Sequence, residues 1–126
     1  MRERLEKLLE NSYAPYSNLH FACIVESKDG YFYEGVNVEN SSFGGTVCAE
    51  RNAINHAISH GERKFKSLYL MTSNDEICFP CKICQQTFSE FFDKDVIFNI
   101  MTQNGQNKVM TMDEIMKSEF TKDDVI

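Results

Sequence analysis

Apolar positions change period along the chain, and each change marks an element. Leu5, Leu8 and Leu9 share one face of residues 1–11, with charges elsewhere, so an amphipathic helix opens the chain. Residues 21–26 and 31–37 are two strand-like runs separated by Lys28-Asp29-Gly30, and an Asp-Gly pair in that position predicts a hairpin. Ala49, Ala53 and Ala57 recur every fourth position within 47–60. That spacing predicts a helix whose small side chains let it lie close against a sheet, with Gly61 as its stop. The apolar run 67–72 predicts a strand. Pro80 suits the first turn of a second helix, which continues through Gln85, Phe88 and Phe91. Strands at 96–101 and 108–111 flank an Asn104-Gly105 turn, and a last helix starts near Asp113.

The resulting order, α-β-β-α-β-α-β-β-α, predicts an α/β fold: a three-layer αβα sandwich around a mixed five-stranded sheet. Its first pair is expected to be antiparallel and its centre parallel, because helices separate the later strands. At 126 residues the chain is expected to form one domain, 1–126.

Composition narrows the function. A hydrophobic share of 42% and a charged share of 25% are globular values, and no apolar segment is long enough to span a bilayer. The opening MRERLEKLLE lacks the apolar core of a secretory leader, so a cytoplasmic location is expected. A net charge of -6 without any Lys/Arg stripe opposes binding of polymeric nucleic acid and points to a small-molecule partner. Five cysteines, three of them in CFPCKIC, favour metal binding or thiolate chemistry over a disulfide framework.

Cys81 and Cys84 stand at i and i+3 near a predicted helix start, so both sulfurs fall on one face where a single metal reaches them. The helix N-terminus favours the thiolates that bind metal. Cys48-Ala49-Glu50 lies at the start of the other predicted helix, after a Gly44-Gly45 pair that lets the backbone turn sharply. Cys48, Cys81 and Cys84 together give zinc three protein ligands and leave a fourth tetrahedral position for water, the arrangement of a catalytic site. Glu50, two residues past Cys48, can move protons without binding the metal; this is the pattern of zinc deaminases, a His or Cys, x, Glu element followed by Pro-Cys-x-x-Cys. Three thiolates leave the metal with a net negative charge, which Arg51 offsets by donating hydrogen bonds to sulfur.

Over nearly its whole length the sequence resembles the small homotetrameric cytidine deaminases. The resemblance rests on Ala14-Pro15-Tyr16-Ser17, Gly35-Val36-Asn37-Val38-Glu39-Asn40, Cys48-Ala49-Glu50-Arg51 and Pro80-Cys81-x-x-Cys84-x-Gln86. It implies zinc-dependent hydrolysis of cytidine or deoxycytidine to the uridine product and ammonia. It also implies that Asn37 and Glu39 hold the ribose hydroxyls, that the Ala49 backbone meets the pyrimidine, and that Phe43 and Phe120 close pockets of neighbouring subunits. Leu19 stands where the family commonly has a base-stacking Phe, and Ala22 where it has Gly. Lys82-Ile83 replaces a small pair, Gln85 an Arg and Lys117 a Pro. Leu19 and Gln85 motivate an alternative substrate, another aminopyrimidine nucleoside such as blasticidin S.

Other readings of the same residues remain. Cys78, Cys81 and Cys84 form a C-x-x-C-x-x-C run, but an iron–sulfur cluster of the bacterial pattern needs a fourth Cys where Phe88 stands. A closed structural zinc site would recruit Cys78 and make the chain a non-catalytic interaction module with Glu50 on the surface. Cys23 reads as a buried small hydrophobe. His20, His56 and His60 read as solvated or satisfied, and Phe88, Phe91 and Phe92 as core.

Overall fold

The computed structural model describes residues 1–118. Helix α1 (Arg2–Leu9) leads to the strands β1 (Phe21–Ser27) and β2 (Phe32–Val36), then to a 3-10 turn at Phe43–Gly45 and helix α2 (Ala49–Ser59). Strand β3 (Phe65–Thr72), helix α3 (Lys82–Phe91), strands β4 (Ile97–Thr102) and β5 (Asn107–Thr111) and helix α4 (Met112–Lys117) follow. The order matches the periodicity. Pro80 is the one helix signal that falls elsewhere: it precedes the N-cap Cys81, so the helix begins one residue beyond that cap and the proline sets the approach to the first turn.

The five strands form one mixed sheet in the order β2-β1-β3-β4-β5. β1 and β2 make the expected antiparallel hairpin, with Ala22 opposite Val36 and Glu26 opposite Phe32. The centre is only half parallel. β3 runs parallel to β4 but antiparallel to β1, because the connection through α2 carries the chain from β2 past β1 to the far side of that strand. β2 and β3 therefore point the same way without being neighbours. The helices that follow them, α2 and α3, both start at the same edge of the sheet, which is the edge where open α/β sheets bind ligands.

Alternation along the strands assigns the two faces. Cys23, Val25, Leu68, Leu70, Phe98 and Ile100 pack with α2, α3 and α4. Ala22, Ile24, Met71 and Met101 pack under Leu5 and Leu9 of α1. Helices thus cover both faces, unequally. Phe88 lies parallel to Phe92 with ring centroids 5.2 Å apart, and both meet Phe98, so these rings are core. Burying one such ring contributes about 1.5–3 kcal/mol.

Two glycines have a steric reason. Gly61 ends α2 at φ +89, a conformation that costs other residues. Gly35 is where α2 presses on β2: a Cβ there would lie 2.3 Å from the Ala53 nitrogen and 2.6 Å from the Ala49 oxygen. The alanine face of α2 and this one glycine let helix and strand backbones meet, and Asn52 locks the contact with an Nδ2–H bond to the Val36 carbonyl at 2.8 Å. Gly44 and Gly45, by contrast, do not adopt positive φ; the turn before Cys48 is a 3-10 turn that uses ordinary backbone angles.

Candidate metal centre and its cavity

Cys48 caps α2 at φ -70, ψ 153, and Cys81 caps α3 at φ -71, ψ 169. Each is extended, as an N-cap residue is, and at α3 the first-turn amides of Ile83 and Cys84 bond to the Cys81 sulfur. Cys84 follows in the first turn of α3, fully buried. The Sγ atoms of Cys48 and Cys81 are 3.9 Å apart, and all three sulfurs lie within 4.8 Å of one another. Among the described residues no other group of three His, Cys, Asp or Glu side chains converges in this way.

Hydrogen bonding within the cluster shifts the three thiols in different directions. Hydrogen bonds from the Cys48 and Cys84 thiols, with the Cys84 and Ile83 amides, pull the Cys81 thiol far below its usual range. Cys48 is pushed up chiefly because its proton is shared with Cys81, and Cys84 because its proton is held between Cys48 and Cys81. The three thiols thus share protons that a single dication can replace, which is how metal binding releases protons from thiol ligands. The donor set fits zinc. Arg51 supports it: Nη2 points at the Cys48 sulfur at 3.7 Å and at the Thr46 carbonyl at 3.4 Å, while its buried Nε has no hydrogen-bond partner among the described residues.

Cys48, Cys81, Glu50 and Arg51 line a cavity of about 320 Å³. Glu50 is 5% exposed. Burial, with the Cys81 thiolate nearby, pushes its carboxyl up to about 7, and a cation on the sulfurs acts in the opposite direction. Leu19, Phe21, Leu70, Phe79 and Ile83 supply apolar walls, the flat lining that a heterocycle needs. Ser17, Asn37 and Glu39 supply polar atoms to the same cavity. The Glu39 carboxylate accepts from the amides of Tyr16 at 3.0 Å and Ser17 at 3.1 Å, and from the Ser17 hydroxyl. Burial raises its pKa, but these donors outweigh it and hold the carboxyl below its usual range.

The structure brings together Cys48, Cys81, Cys84, Glu50, Arg51, Asn37, Glu39 and Leu19. Phe43 lines the cavity too and is 83% exposed. Ala49 is fully buried against Gly35 and does not line the cavity, although both of its chain neighbours do. Phe120 lies outside the described residues. Gln85 faces away: its Nε2 donates to the Pro80 and Ser118 carbonyls, both at 3.1 Å, so its amide ties α3 to the segment after α4 and leaves the cavity to Leu19. Phe21, Leu70, Phe79 and Ile83 were not foreseen as lining residues. Their only signal was apolarity at strand ends and beside the cysteines, which core residues share.

Cys78 is not part of the cluster. Its sulfur accepts from Asn74 Nδ2 at 3.4 Å and reaches the Glu76 carbonyl at 3.7 Å, so the closed four-thiolate site does not form, and Glu50 is buried where that reading placed it on the surface. Cys78→Ser is therefore expected to keep one zinc per chain by elemental analysis; loss of the metal would restore Cys78 as a ligand. Cys23 is buried, and its thiol is pushed up by that burial. His56 and His60 pack their rings against Tyr33 at the surface.

Known proteins resemble this chain in sequence and in fold. Residues 1–100 match the family model described as the cytidine and deoxycytidylate deaminase zinc-binding region. A cytidine deaminase of Sporosarcina psychrophila is 32% identical over 95% of this chain and 88% of its own length. One from Mycoplasma genitalium is 33% identical over 95% and 92%. The crystal structure of cytidine deaminase from Burkholderia pseudomallei superimposes with a TM-score of 0.85 at 28% identity, covering 94% of each chain. A sulfur cluster built on two helix caps, a buried glutamate beside it, and relatives that match almost end to end lead to one assignment: the chain belongs to the cytidine and deoxycytidylate deaminase family.

Proposed function

We propose that this chain is a zinc-dependent cytidine deaminase that hydrolyses cytidine and 2'-deoxycytidine to the uridine products and ammonia. The observation that carries this reading is the buried carboxylate of Glu50 in the same cavity as the Cys48, Cys81 and Cys84 cluster. A structural zinc site has no use for such a carboxylate.

Cys48, Cys81 and Cys84 hold the zinc, which when bound supplies an acidified water for attack on C4 of the pyrimidine. Arg51 draws electron density from the Cys48 sulfur and so limits the charge that three thiolates donate. Glu50 takes one proton from the attacking water and delivers it to ring N3. It then takes the remaining proton of the hydroxyl now on C4 and passes it to the amine, so that the C4–N bond breaks as C4=O forms and ammonia leaves. Leu19 and Phe21 hold the ring in an apolar slot, and Asn37 and Glu39 orient the sugar. Closing that slot around the ring keeps bulk water from the reacting carbon.

The same reading places the enzyme in pyrimidine salvage and in the cytoplasm. The three converging thiols of Cys48, Cys81 and Cys84 support that location, because thiols stay reduced there. Homotetramer formation is supported by Phe43, a large aromatic standing open at the rim of the cavity, where a neighbouring chain covers it. Sedimentation equilibrium of the zinc-loaded protein is expected to give the mass of four chains; a fully active monomer would remove the tetramer.

The deciding experiment measures zinc content and ammonia release on one sample with cytidine, deoxycytidine, cytosine and blasticidin S. One zinc per chain with turnover of the first two is expected. Turnover of blasticidin S alone would move the assignment to the alternative that Leu19 suggests. Zinc without turnover of any of them would reduce the chain to a non-catalytic zinc-binding module.

A further inference from the structure

Asn37 is held by more partners than its place in the cavity requires. The Phe21 amide donates to its Oδ1 at 2.9 Å, and its Nδ2 donates to the Leu19 carbonyl at 2.9 Å. A backbone N–H only donates and a carbonyl only accepts, so these two bonds fix which end of the amide is oxygen. The Ser12 hydroxyl also reaches Oδ1, and against an acceptor it must donate. Its oxygen is then free to accept, and His20 Nδ1 lies 2.9 Å from it, so His20 carries a proton on Nδ1. A single directed chain results, His20 Nδ1–H to Ser12 O–H to Asn37 Oδ1.

This chain decides what Asn37 shows a ligand. Both lone pairs of Oδ1 are filled and one Nδ2 hydrogen is engaged, so among the described residues the amide of Asn37, which lines the cavity, keeps one N–H and no acceptor for a ligand. Glu39, its carboxylate kept ionised by Ser17 and Tyr16, offers an acceptor and no donor. A donor-only group and an acceptor-only group lining one cavity read a hydroxyl, which can accept from the first and donate to the second. Without Ser12, Oδ1 regains an open lone pair, two bonds instead of three restrain the amide, and the site can accept a donor that it should refuse.

We infer that Ser12 and His20 are positioning residues for sugar-hydroxyl recognition, holding Asn37 as a pure hydrogen-bond donor through the His20–Ser12–Asn37 chain. The inference rests on the functional reading above, because it needs Asn37 and Glu39 to meet the sugar.

The test crosses the protein change with a change in the substrate, which isolates the coupling between them. Wild type, Ser12→Ala, Ser12→Thr and His20→Phe are assayed on cytidine and on 2',3'-dideoxycytidine, which lacks both ring hydroxyls. Ser12→Ala is expected to lose between about threefold and tenfold in kcat/KM on cytidine, mostly as a rise in KM, the range that one neutral hydrogen bond allows. On the dideoxy substrate it should lose less than about twofold, being already deprived of the contact at stake. His20→Phe should follow in the same direction with a smaller loss, and Ser12→Thr, which keeps the hydroxyl, should restore the wild-type ratio between the substrates. Equal losses on both substrates, or none on either, would overturn the positioning role and leave the deaminase reading intact. A wild-type chain that holds zinc and deaminates neither would overturn that reading and this inference with it.

Discussion

Glu50→Gln is expected to lower kcat on cytidine by about three orders of magnitude, within the range that removal of a general acid–base produces, while zinc stays at one per chain. The amide has the shape of the carboxylate but cannot take a proton from the attacking water or hand one to N3. The loss should appear in kcat more than in KM, because on the proposed reading Leu19, Asn37 and Glu39, which line the same cavity, hold the nucleoside without help from Glu50. The metal should remain, because the three sulfurs come from the caps and first turn of helices whose packing Gln does not disturb. Thermal unfolding should start no lower than in the wild type, since the substitution removes a carboxyl that burial penalises. Steady-state kinetics and elemental analysis on the same preparation check both halves. A variant with near-normal kcat would take the proton-transfer role from Glu50, and one that lost its zinc would make Glu50 part of the metal site.

Gly35→Ala is expected to destabilise the fold by at least about 3 kcal/mol, the upper part of the range for inserting atoms into a packed interior. A Cβ at that position would meet the Ala53 nitrogen at 2.3 Å, the Ala49 oxygen at 2.6 Å and the Asn52 carbonyl carbon at 2.8 Å. All three are backbone atoms of α2, so no side chain can rotate aside and the helix must lift from β2. Cys48 and Glu50 ride on that helix, and any lift moves them away from Cys81 and Cys84 on α3. Soluble Gly35→Ala should therefore unfold at lower denaturant and bind less than one zinc per chain. Normal stability together with full zinc would show that α2 does not need to touch the strand.

Much of this was legible in the chain. The ligand cysteines announce themselves by spacing, because i and i+3 on a helix is a local relation, and the helices themselves by the repeat of Ala49, Ala53 and Ala57 and by Phe88 and Phe91. The half-antiparallel centre was not legible, because nothing local says that the connection from β2 to β3 passes over β1. Gly35 gave no warning for a similar reason: its constraint comes from a helix beginning fourteen residues later, and in the sequence it reads as an ordinary residue of a strand. Gln85 misled. Standing where the resembled family has an Arg, it suggested an altered cavity, yet one position along a helix from Cys84 turns a side chain about 100°, enough to point it at Ser118 instead. The last helix starts at Met112, one residue before the expected Asp113, because Thr111 and Glu114 form a reciprocal capping box there.

The crossover that brings two helix caps to one edge of the sheet has a consequence for how such a protein can change. Cys48, Glu50, Cys81 and Cys84 are anchored by helices fixed to the sheet, whereas Ser17, Glu39 and Phe43 stand on connecting segments. Val38 stitches those segments together by pairing with Tyr13 on one side and Val47 on the other. Mutations in the connections can reshape which nucleoside fits while the metal keeps its geometry. On the proposed reading, substitutions confined to the connections are therefore expected to change which nucleoside is preferred while zinc stays at one per chain.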